Sequence, residues 1–283
     1  MASSVQDLIE GQISTGGIGG GVSLPRGVFE IDDTLTIASV RGLRFGGQSP
    51  WATELRWVGP ADRPMFDIDR SADILLEHFS ITVGAGRELL AAAWIQNGKG
   101  RTGPKAAPGA QGSHVSWNNI RVVGDGNLVA GFHVKLFDVE KDIKNDHHSF
   151  EHVTVSGYTG TAFTLEGRNA KNLGFDRCHC LGLFRRRRIG QYAVDTSTHP
   201  NQGGAFVWNK GSAIGHEQAD FKIGDRNDTI KIDGVSSEKS ARMLQMPDYG
   251  PGADTACPTL LENYRFGTGD PANPVAPDGS HPV

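Results

Sequence analysis

Two short polar pairs in this sequence carry the side chains best suited to chemistry: Glu151 with His152, and Asp176 with Arg177. Each pair follows a phenylalanine at the same position of a degenerate repeat, so we expect the pairs to lie side by side in the fold. Two neighbouring carboxylates are the groups that acid/base glycoside chemistry uses. Glu151 and Asp176 are therefore candidate catalytic residues, and His152, Arg177 and the nearby His179 are candidate substrate-binding residues.

The same positions also fit a structural role. Asn, Asp and Glu residues at turns commonly bond local backbone N–H groups. For the catalytic alternative, the separation of the carboxyl groups is informative: roughly 5 to 5.5 Å suits retaining hydrolysis and roughly 6.5 to 9.5 Å suits inverting hydrolysis.

A second cluster combines acids and imidazoles at residues 138–142 and 146–148. Its carboxylates suit a divalent cation such as calcium, and the cluster equally suits the wall of a glycan groove or a solvated loop. The spacing matches no EF-hand or zinc-protease pattern. We assign no metal ligand and no cofactor, with calcium as the cation that this loop would suit.

Four consecutive arginines at residues 185–188 form the one strong basic run. Guanidinium groups match carboxylates with a planar fork of donors. The run is therefore interpreted in three ways: as a grip on an anionic glycan, as a contact with acidic residues of a neighbouring subunit, or as a solvated loop.

Tryptophan rings offer flat faces for contact with a ligand. Five are present: Trp51, Trp57, Trp94, Trp117 and Trp208. Trp117 occupies an apolar repeat position and is predicted to lie in the core. Trp51 and Trp208 lie beside turns and are the candidate substrate-binding rings.

The elements that must position these residues follow from the repeat. Each unit reads apolar, polar, polar, apolar, any, apolar, any, glycine, and the units begin at Val40, Leu76, Trp117, Phe150 and Phe175. This alternation is typical of short strands. The intervals vary between 25 and 41 residues, which disfavours propellers and leucine-rich repeats and fits a solenoid whose corners accept loops of any length.

We therefore predict an all-β fold, a single-stranded right-handed parallel β-helix. Equivalent positions of adjacent coils would lie about 4.8 Å apart, which places Glu151 on Asp176 and His152 on Arg177. The two cysteines of the repeat, Cys178 and Cys180, are expected to be reduced core residues, since three cysteines form no disulfide framework.

Three segments are predicted along the chain. Residues 1–18 form an N-terminal arm or capping helix, with a short amphipathic stretch at residues 5–12 that Ser4 opens as N-cap. Residues 19–246 form the parallel β-helix, and residues 247–283 form a tail rich in Pro and Gly. The helix is expected to cover an open end of the solenoid, or else to fray or bind a partner.

Composition excludes several classes of partner. A net charge of -4 provides no general basic surface for phosphates, so we expect no nucleic acid. The longest apolar run, residues 89–95, is far shorter than the roughly 18 residues of a membrane span. The first ten residues lack the basic and apolar regions of an export signal.

Residues 19–47 carry a recognisable pattern: GGGVSLPRGVFEI, then Thr34-Leu-Thr-Ile and Leu43-Arg-Phe-Gly-Gly. This block resembles the opening coils of the pectate-lyase-like superfamily, which includes polysaccharide lyases, glycoside hydrolases and bacteriophage tailspike or tail-fibre proteins. The resemblance implies a right-handed parallel β-helix that faces carbohydrate. The polygalacturonase signatures and the calcium-binding aspartates of pectate lyases are missing from this sequence.

The resemblance, together with those missing signatures and the missing export signal, leads to a first hypothesis. It is a phage tail-associated β-helix protein, a receptor-binding, fibre or spike component that contacts host surface glycans as a homotrimer in the virion tail. The alternative is a secreted or extracellular lyase or hydrolase of an acidic polysaccharide, with Glu151 and Asp176 as its acid/base pair. A purely structural assembly protein is a third possibility.

Overall fold

The computed structural model describes residues 4–96, 114–135, 145–166, 172–198, 205–224, 229–246 and 259–267. Within these ranges the chain forms one helix and 24 strands, of which 22 belong to one wound parallel sheet and two form an antiparallel hairpin. The predicted fold, a right-handed parallel β-helix, is confirmed.

The elements follow in chain order. They are α1 (Val5–Gly11), β1 (Gly21–Ser23), β2 (Gly27–Ile31), β3 (Leu35–Ala38), β4 (Arg44–Gly46), β5 (Thr53–Trp57), β6 (Pro64–Asp69), β7 (Ile74–Glu77), β8 (Ser80–Val83), β9 (Leu89–Gln96), β10 (Val115–Asn118), β11 (Arg121–Lys135) and β12 (Ser149–Glu151). They continue with β13 (Thr154–Tyr158), β14 (Thr161–Leu165), β15 (Leu173–Leu181), β16 (Leu183–Phe184), β17 (Arg187–Arg188), β18 (Tyr192–Asp195), β19 (Phe206–Ile214), β20 (Ala219–Lys222), β21 (Ile230–Glu238), β22 (Leu244–Gln245), β23 (Thr259–Glu262) and β24 (Arg265–Gly267).

The strands stack on three faces. Face A contains β1, β4, β7, β10, β12, the first parts of β15, β19 and β21, and β23. Face B contains β2, β5, β8, the start of β11, β13, the second parts of β15, β19 and β21, and β24. Face C contains β3, β6, β9, the end of β11, β14, β18, β20 and β22.

Alternating residues of each strand fill the interior with apolar side chains. On face A, a column of aromatic rings runs through consecutive coils, and Phe150 and Phe175 stack with their ring centroids 5.0 Å apart. Trp117 is fully buried one coil earlier, as predicted. The first repeat of the sequence alignment is corrected here, because Phe45, not Val40, is the register partner of Leu76.

Helix α1 covers the first strand of face C. Ser4 closes a capping box with Asp7, and the apolar side chains of Val5 and Ile9 are buried. The side-chain amide of Gln6 accepts from the backbone N–H of Thr36 at 2.9 Å and donates to its carbonyl at 3.3 Å. The helix thus satisfies an exposed strand edge that would otherwise invite pairing with another chain.

At the other end, β23 and β24 pair with β21. The stacked sheet therefore extends into the segment predicted as a tail after residue 246. None of the described helices is long and apolar enough to cross a membrane.

Cys178 and Cys180 are buried and reduced, as predicted. Burial raises the pKa of both thiols, that of Cys178 to about 12. Cys257 lies outside the described residues.

The predicted cluster at residues 138–148 is only partly described, since residues 136–144 lie outside the described ranges. Among its last members, His147 is exposed, whereas His148 is buried in a structural network with the neighbouring Asn145. His148 Nδ1 accepts from the backbone N–H of Val115 at 3.2 Å, and its Nε2 donates to Asn145 Oδ1 at 2.7 Å. The amide of Asn145 donates to the carbonyls of Ile95 and Lys135 at 3.0 and 3.1 Å, so this network ties the turn to face C.

This network predicts acid sensitivity. Burial, together with repulsion from His114 and His147, lowers the pKa of His148 from 6.5 to about 3. The unfolded chain therefore binds a proton that the folded chain rejects. The stability that the neutral, buried His148 contributes is fully present above about pH 6.5. Below about pH 6.5, the free energy of unfolding should fall by up to about 1.4 kcal/mol per pH unit.

The measurement is urea unfolding between pH 4 and pH 8 for the native chain and for His148→Gln. We expect the variant to be less stable at pH 8 and to show a shallower loss of stability in acid. Parallel pH profiles for the two chains would contradict this role of His148.

Candidate functional site

From β7 onward, each described coil passes from face A to face B through a residue in the left-handed region. At the central coils these residues are His78, Asn119, His152, Arg177 and Lys210, with φ between 51° and 62°. Such values are uncommon outside glycine, although Asn and His tolerate them better than most side chains. We call this column of residues the A–B corner.

Backbone hydrogen bonds satisfy this corner. The N–H of Asn119 donates to the carbonyl of Glu151, and the N–H of His152 donates to the carbonyl of Asp176, both at 2.9 Å. Because the main chain completes the turn, the polar side chains here are not needed to cap it. This geometry disfavours the interpretation in which those side chains bond local N–H groups.

The register places the candidate carboxylates on adjacent coils. Glu151 pairs with Asp176 across β12 and β15, as predicted. Asn118 precedes the pair and Asn209 follows it in the same outward column. The two acids thus lie between neutral amides.

A nitrogen-bearing side chain lies beside each acid. His152 Nδ1 lies 3.6 Å from Glu151 Oε1, and Arg177 Nε lies 3.7 Å from Asp176 Oδ2. Arg177 also donates to His152 Nε2 at 3.1 Å, so the predicted stacking of these two residues is present. The four side chains are 37% to 50% exposed, and at this exposure each ion pair contributes little to stability.

The carboxylates line an open groove on face A with a volume of about 370 Å³. We call it the face A groove, and its lining residues are Ser149, Phe150, Glu151, Gly174, Phe175, Asp176, Val207 and Asn209. Small residues leave it open: a Cβ added at Gly174 would meet no heavy atom within 4 Å. The sequence repeat predicted that Glu151 and Asp176 are register partners. It did not predict the other polar or small lining residues, Ser149, Gly174, Val207 and Asn209.

His179 lies across the corner, on the outer surface of face B. Its Nδ1 is 2.9 Å from Ser212 Oγ. Partial burial, and secondly the proximity of His152, lower its pKa. The imidazole is therefore neutral at neutral pH and suits hydrogen bonding to a neutral group rather than binding of an anion.

Trp51 lies on a different part of the surface and is 80% exposed. It borders a second cavity of about 340 Å³, together with Arg26, Val28 and Thr82. The Arg121 guanidinium lies 4.6 Å from the centre of the indole. Arg121, Thr154 and His179 are register partners on three successive coils of face B, so an outward column joins this cavity to the A–B corner.

Trp208 was wrongly predicted to contact substrate. It is fully buried and stacks on Phe175 with ring centroids 4.9 Å apart. Its indole N–H donates to the carbonyl of Lys210 at 2.8 Å. It belongs to the inward column of face A, so its position beside a turn does not expose it.

Among the described residues, no group of three or more His, Cys, Asp or Glu side chains is arranged to hold a metal ion. The calcium interpretation of residues 138–142 falls outside the described ranges.

Comparison with known proteins identifies similar solved structures. The catalytic domain of a GH87 α-1,3-glucanase in complex with nigerose matches with a TM-score of 0.63 and 14% identity, covering 94% of this chain and 44% of that domain. A variant of that domain in complex with tetrasaccharides gives a TM-score of 0.62 at 15% identity, with the same coverage of both chains. The A-module of an Azotobacter vinelandii mannuronan C-5 epimerase gives 0.50 at 12% identity, covering 93% of this chain and 82% of the module.

At identities of 15% or below the similarity concerns the fold alone, and it confirms the parallel β-helix that the sequence resemblance implied. The chain spans less than half the length of the glucanase domain. No protein-family model and no curated protein matches the sequence.

Proposed function

We propose that this chain binds a polysaccharide in the face A groove and hydrolyses it with Glu151 and Asp176. The observation that carries this proposal is the pairing of two carboxylates on adjacent coils, in the wall of an open groove whose floor is kept free by small residues. The similarity to a nigerose-bound glucanase domain and to a mannuronan epimerase module supports a carbohydrate ligand.

The proposed chemistry divides the roles by environment. Asp176 has the permanently charged Arg177 beside it, which suits a carboxylate that acts in its ionised form. Glu151 lies beside His152 and would protonate the leaving oxygen. Adjacent strands are about 4.8 Å apart, which is nearer to the roughly 5 to 5.5 Å of retaining hydrolases than to inverting separations. We therefore propose that Asp176 attacks the anomeric carbon as the glycosidic bond breaks and Glu151 protonates the departing oxygen. Water, deprotonated by Glu151, then hydrolyses the glycosyl ester on Asp176, so that the anomeric configuration is retained.

The polymer would continue along the solenoid. The column of Arg121, Thr154 and His179 leads from the A–B corner toward Trp51. A long chain would reach the exposed indole, which would act as a distant subsite.

A second candidate is glycan binding without hydrolysis, as in a receptor-binding component of a phage tail. The observation that favours it is the exposure of both carboxylates and the presence of a nitrogen-bearing side chain beside each one, an arrangement that also suits hydrogen bonding to sugar hydroxyls. Assembly into a homotrimer and a place in the virion tail belong to this second proposal. Polysaccharide binding without release of reducing ends would favour it over hydrolysis.

The first prediction concerns the carboxylates. Glu151→Gln and Asp176→Asn should each lower kcat by about 10² to 10⁴-fold, because each removes a proton-transfer or nucleophilic group. Release of reducing ends from a panel of neutral and acidic polysaccharides measures this, and proton NMR of the first product gives its anomeric configuration. Asp233→Asn, in the same outward column but paired with Lys231 and Asn263, is the matched control and should retain activity.

The second prediction concerns the groove. Gly174→Leu should abolish turnover and weaken polysaccharide binding, because the new side chain would project into open space between the carboxylates and Val207. Gly21→Leu is the control, since Gly21 is equally unobstructed and begins the same face several coils away. Both variants should fold, with thermal unfolding close to that of the native chain. Equal binding by the two variants would place the ligand elsewhere.

The third prediction concerns Trp51. Trp51→Ala should raise KM severalfold for long polymers and leave it unchanged for short oligosaccharides, because only a long chain reaches from the groove to the indole. Stability should change by less than about 0.5 kcal/mol at such an exposed position. An equal change in KM for short and long substrates would contradict a distant subsite.

A further inference from the structure

The four arginines at residues 185–188 form a defined hairpin. Strands β16 and β17 pair antiparallel, with Leu183 opposite Arg188 and Phe184 opposite Arg187. The two turn residues, Arg185 and Arg186, have φ of 47° and 66°. A two-residue turn with both φ values positive strongly prefers Asn-Gly, so the two arginines occupy positions that the backbone disfavours for their type.

The base of the hairpin is seated on neighbouring coils. A Cβ added at Gly126 would lie 3.3 Å from the ring of Phe184, and one added at Gly215 would overlap Leu183. The chain closes behind the hairpin, since the N–H groups of Ile189 and Gly190 donate to the carbonyl of Gly182 at 2.8 and 3.0 Å. These contacts argue against a freely solvated loop.

All four guanidinium groups are exposed. Within the described residues no carboxylate forms an ion pair with any of them, and Arg185 lies over the ring of Phe184 at 5.0 Å. The chain as a whole has a net charge of -4. The hairpin therefore concentrates uncompensated positive charge on an otherwise acidic protein.

The hairpin belongs to the coil that carries Asp176 and Arg177. Strand β15 runs from this corner across face B and ends immediately before Gly182. At about 3.3 Å per residue, Arg177 and Leu183 are on the order of 20 Å apart. A single sugar cannot span this distance, whereas a polymer can contact both places.

We propose that the arginine hairpin, residues 183–188, binds the carboxylate groups of an acidic polysaccharide. Planar guanidinium groups bind carboxylates in a bidentate manner, and four adjacent groups suit a repeating anion. The inference rests on the proposed function, because it assigns the substrate class of the polymer that enters the face A groove.

The test removes charge without removing the hairpin. The double variant Arg185→Asn with Arg186→Gly installs the preferred turn sequence, so its thermal stability should equal or exceed that of the native chain. Its affinity for polygalacturonate should fall at least tenfold at low salt, while any binding of neutral dextran should not change. Binding of polygalacturonate by the native chain should also weaken as salt screens the charges.

Arg87→Asn with Arg242→Asn is the matched control, since it removes two exposed positive charges elsewhere. It should leave polygalacturonate affinity within twofold of the native value. The proposal is overturned if the control loses as much affinity as the hairpin variant, or if the hairpin variant loses none. Tighter binding of single-stranded DNA than of polygalacturonate, or dissociation of an oligomer by the hairpin variant alone, would also overturn it.

Gly174→Leu separates this inference from the proposed function. If Gly174→Leu stops turnover while hairpin-dependent binding of polygalacturonate persists, both proposals stand. If no polysaccharide is cleaved but the hairpin variant still loses affinity for polygalacturonate, the proposed hydrolysis is wrong and the proposed hairpin site stands. If polysaccharide is cleaved equally well by the native chain and the hairpin variant, the groove remains the proposed site and the hairpin proposal fails.

Discussion

The candidate site depends on the hydrogen bond from an A–B corner N–H to a carbonyl of the next coil, which is formed at His78, Asn119 and His152. At His152 this bond reaches Asp176 at 2.9 Å, and it fixes the register in which Glu151 lies over Asp176. The same bond draws the corner residue into the left-handed region. Because the main chain completes the turn, side chains beside it are available to bind a ligand without loss of the fold.

In-register stacking also repeats charge, and like charges on adjacent strands destabilise a sheet. The chain limits this repulsion in two ways. Toward the C-terminal coils, Lys231 lies 2.7 Å from Glu262 and 3.7 Å from Asp233. At the groove, amide side chains on both sides separate the Glu151 and Asp176 pair from the other acids of the column. The pair of carboxylates at Glu151 and Asp176 lies where the surface is open.

Local alternation was sufficient to predict the fold and the stacking of Glu151 on Asp176, since each unit carries its own register signal. Prediction from local alternation failed at the coil of Trp208, whose unit was not recognised in the sequence. Trp208 occupies the inward position of the column that contains Phe175, but its unit has Gly211 where the other units have an apolar residue. The floor of the groove was not predictable, because it depends on small side chains such as Gly174 meeting across several coils, which no single segment encodes.

The interior explains how the arginine hairpin leaves its coil without disrupting the solenoid. Side chains at Gly182 or Gly190 would overlap His216 or Tyr158, so these glycines leave space between the coils on either side. Tyr158 and His216 hydrogen bond through that space, and His216 Nδ1 continues to Asp220 at 2.5 Å. Burial raises the pKa of Tyr158, so its hydroxyl stays protonated and able to donate. A satisfied buried network of this kind is rigid, and it holds the base of the hairpin at a fixed position relative to the groove on the same coil.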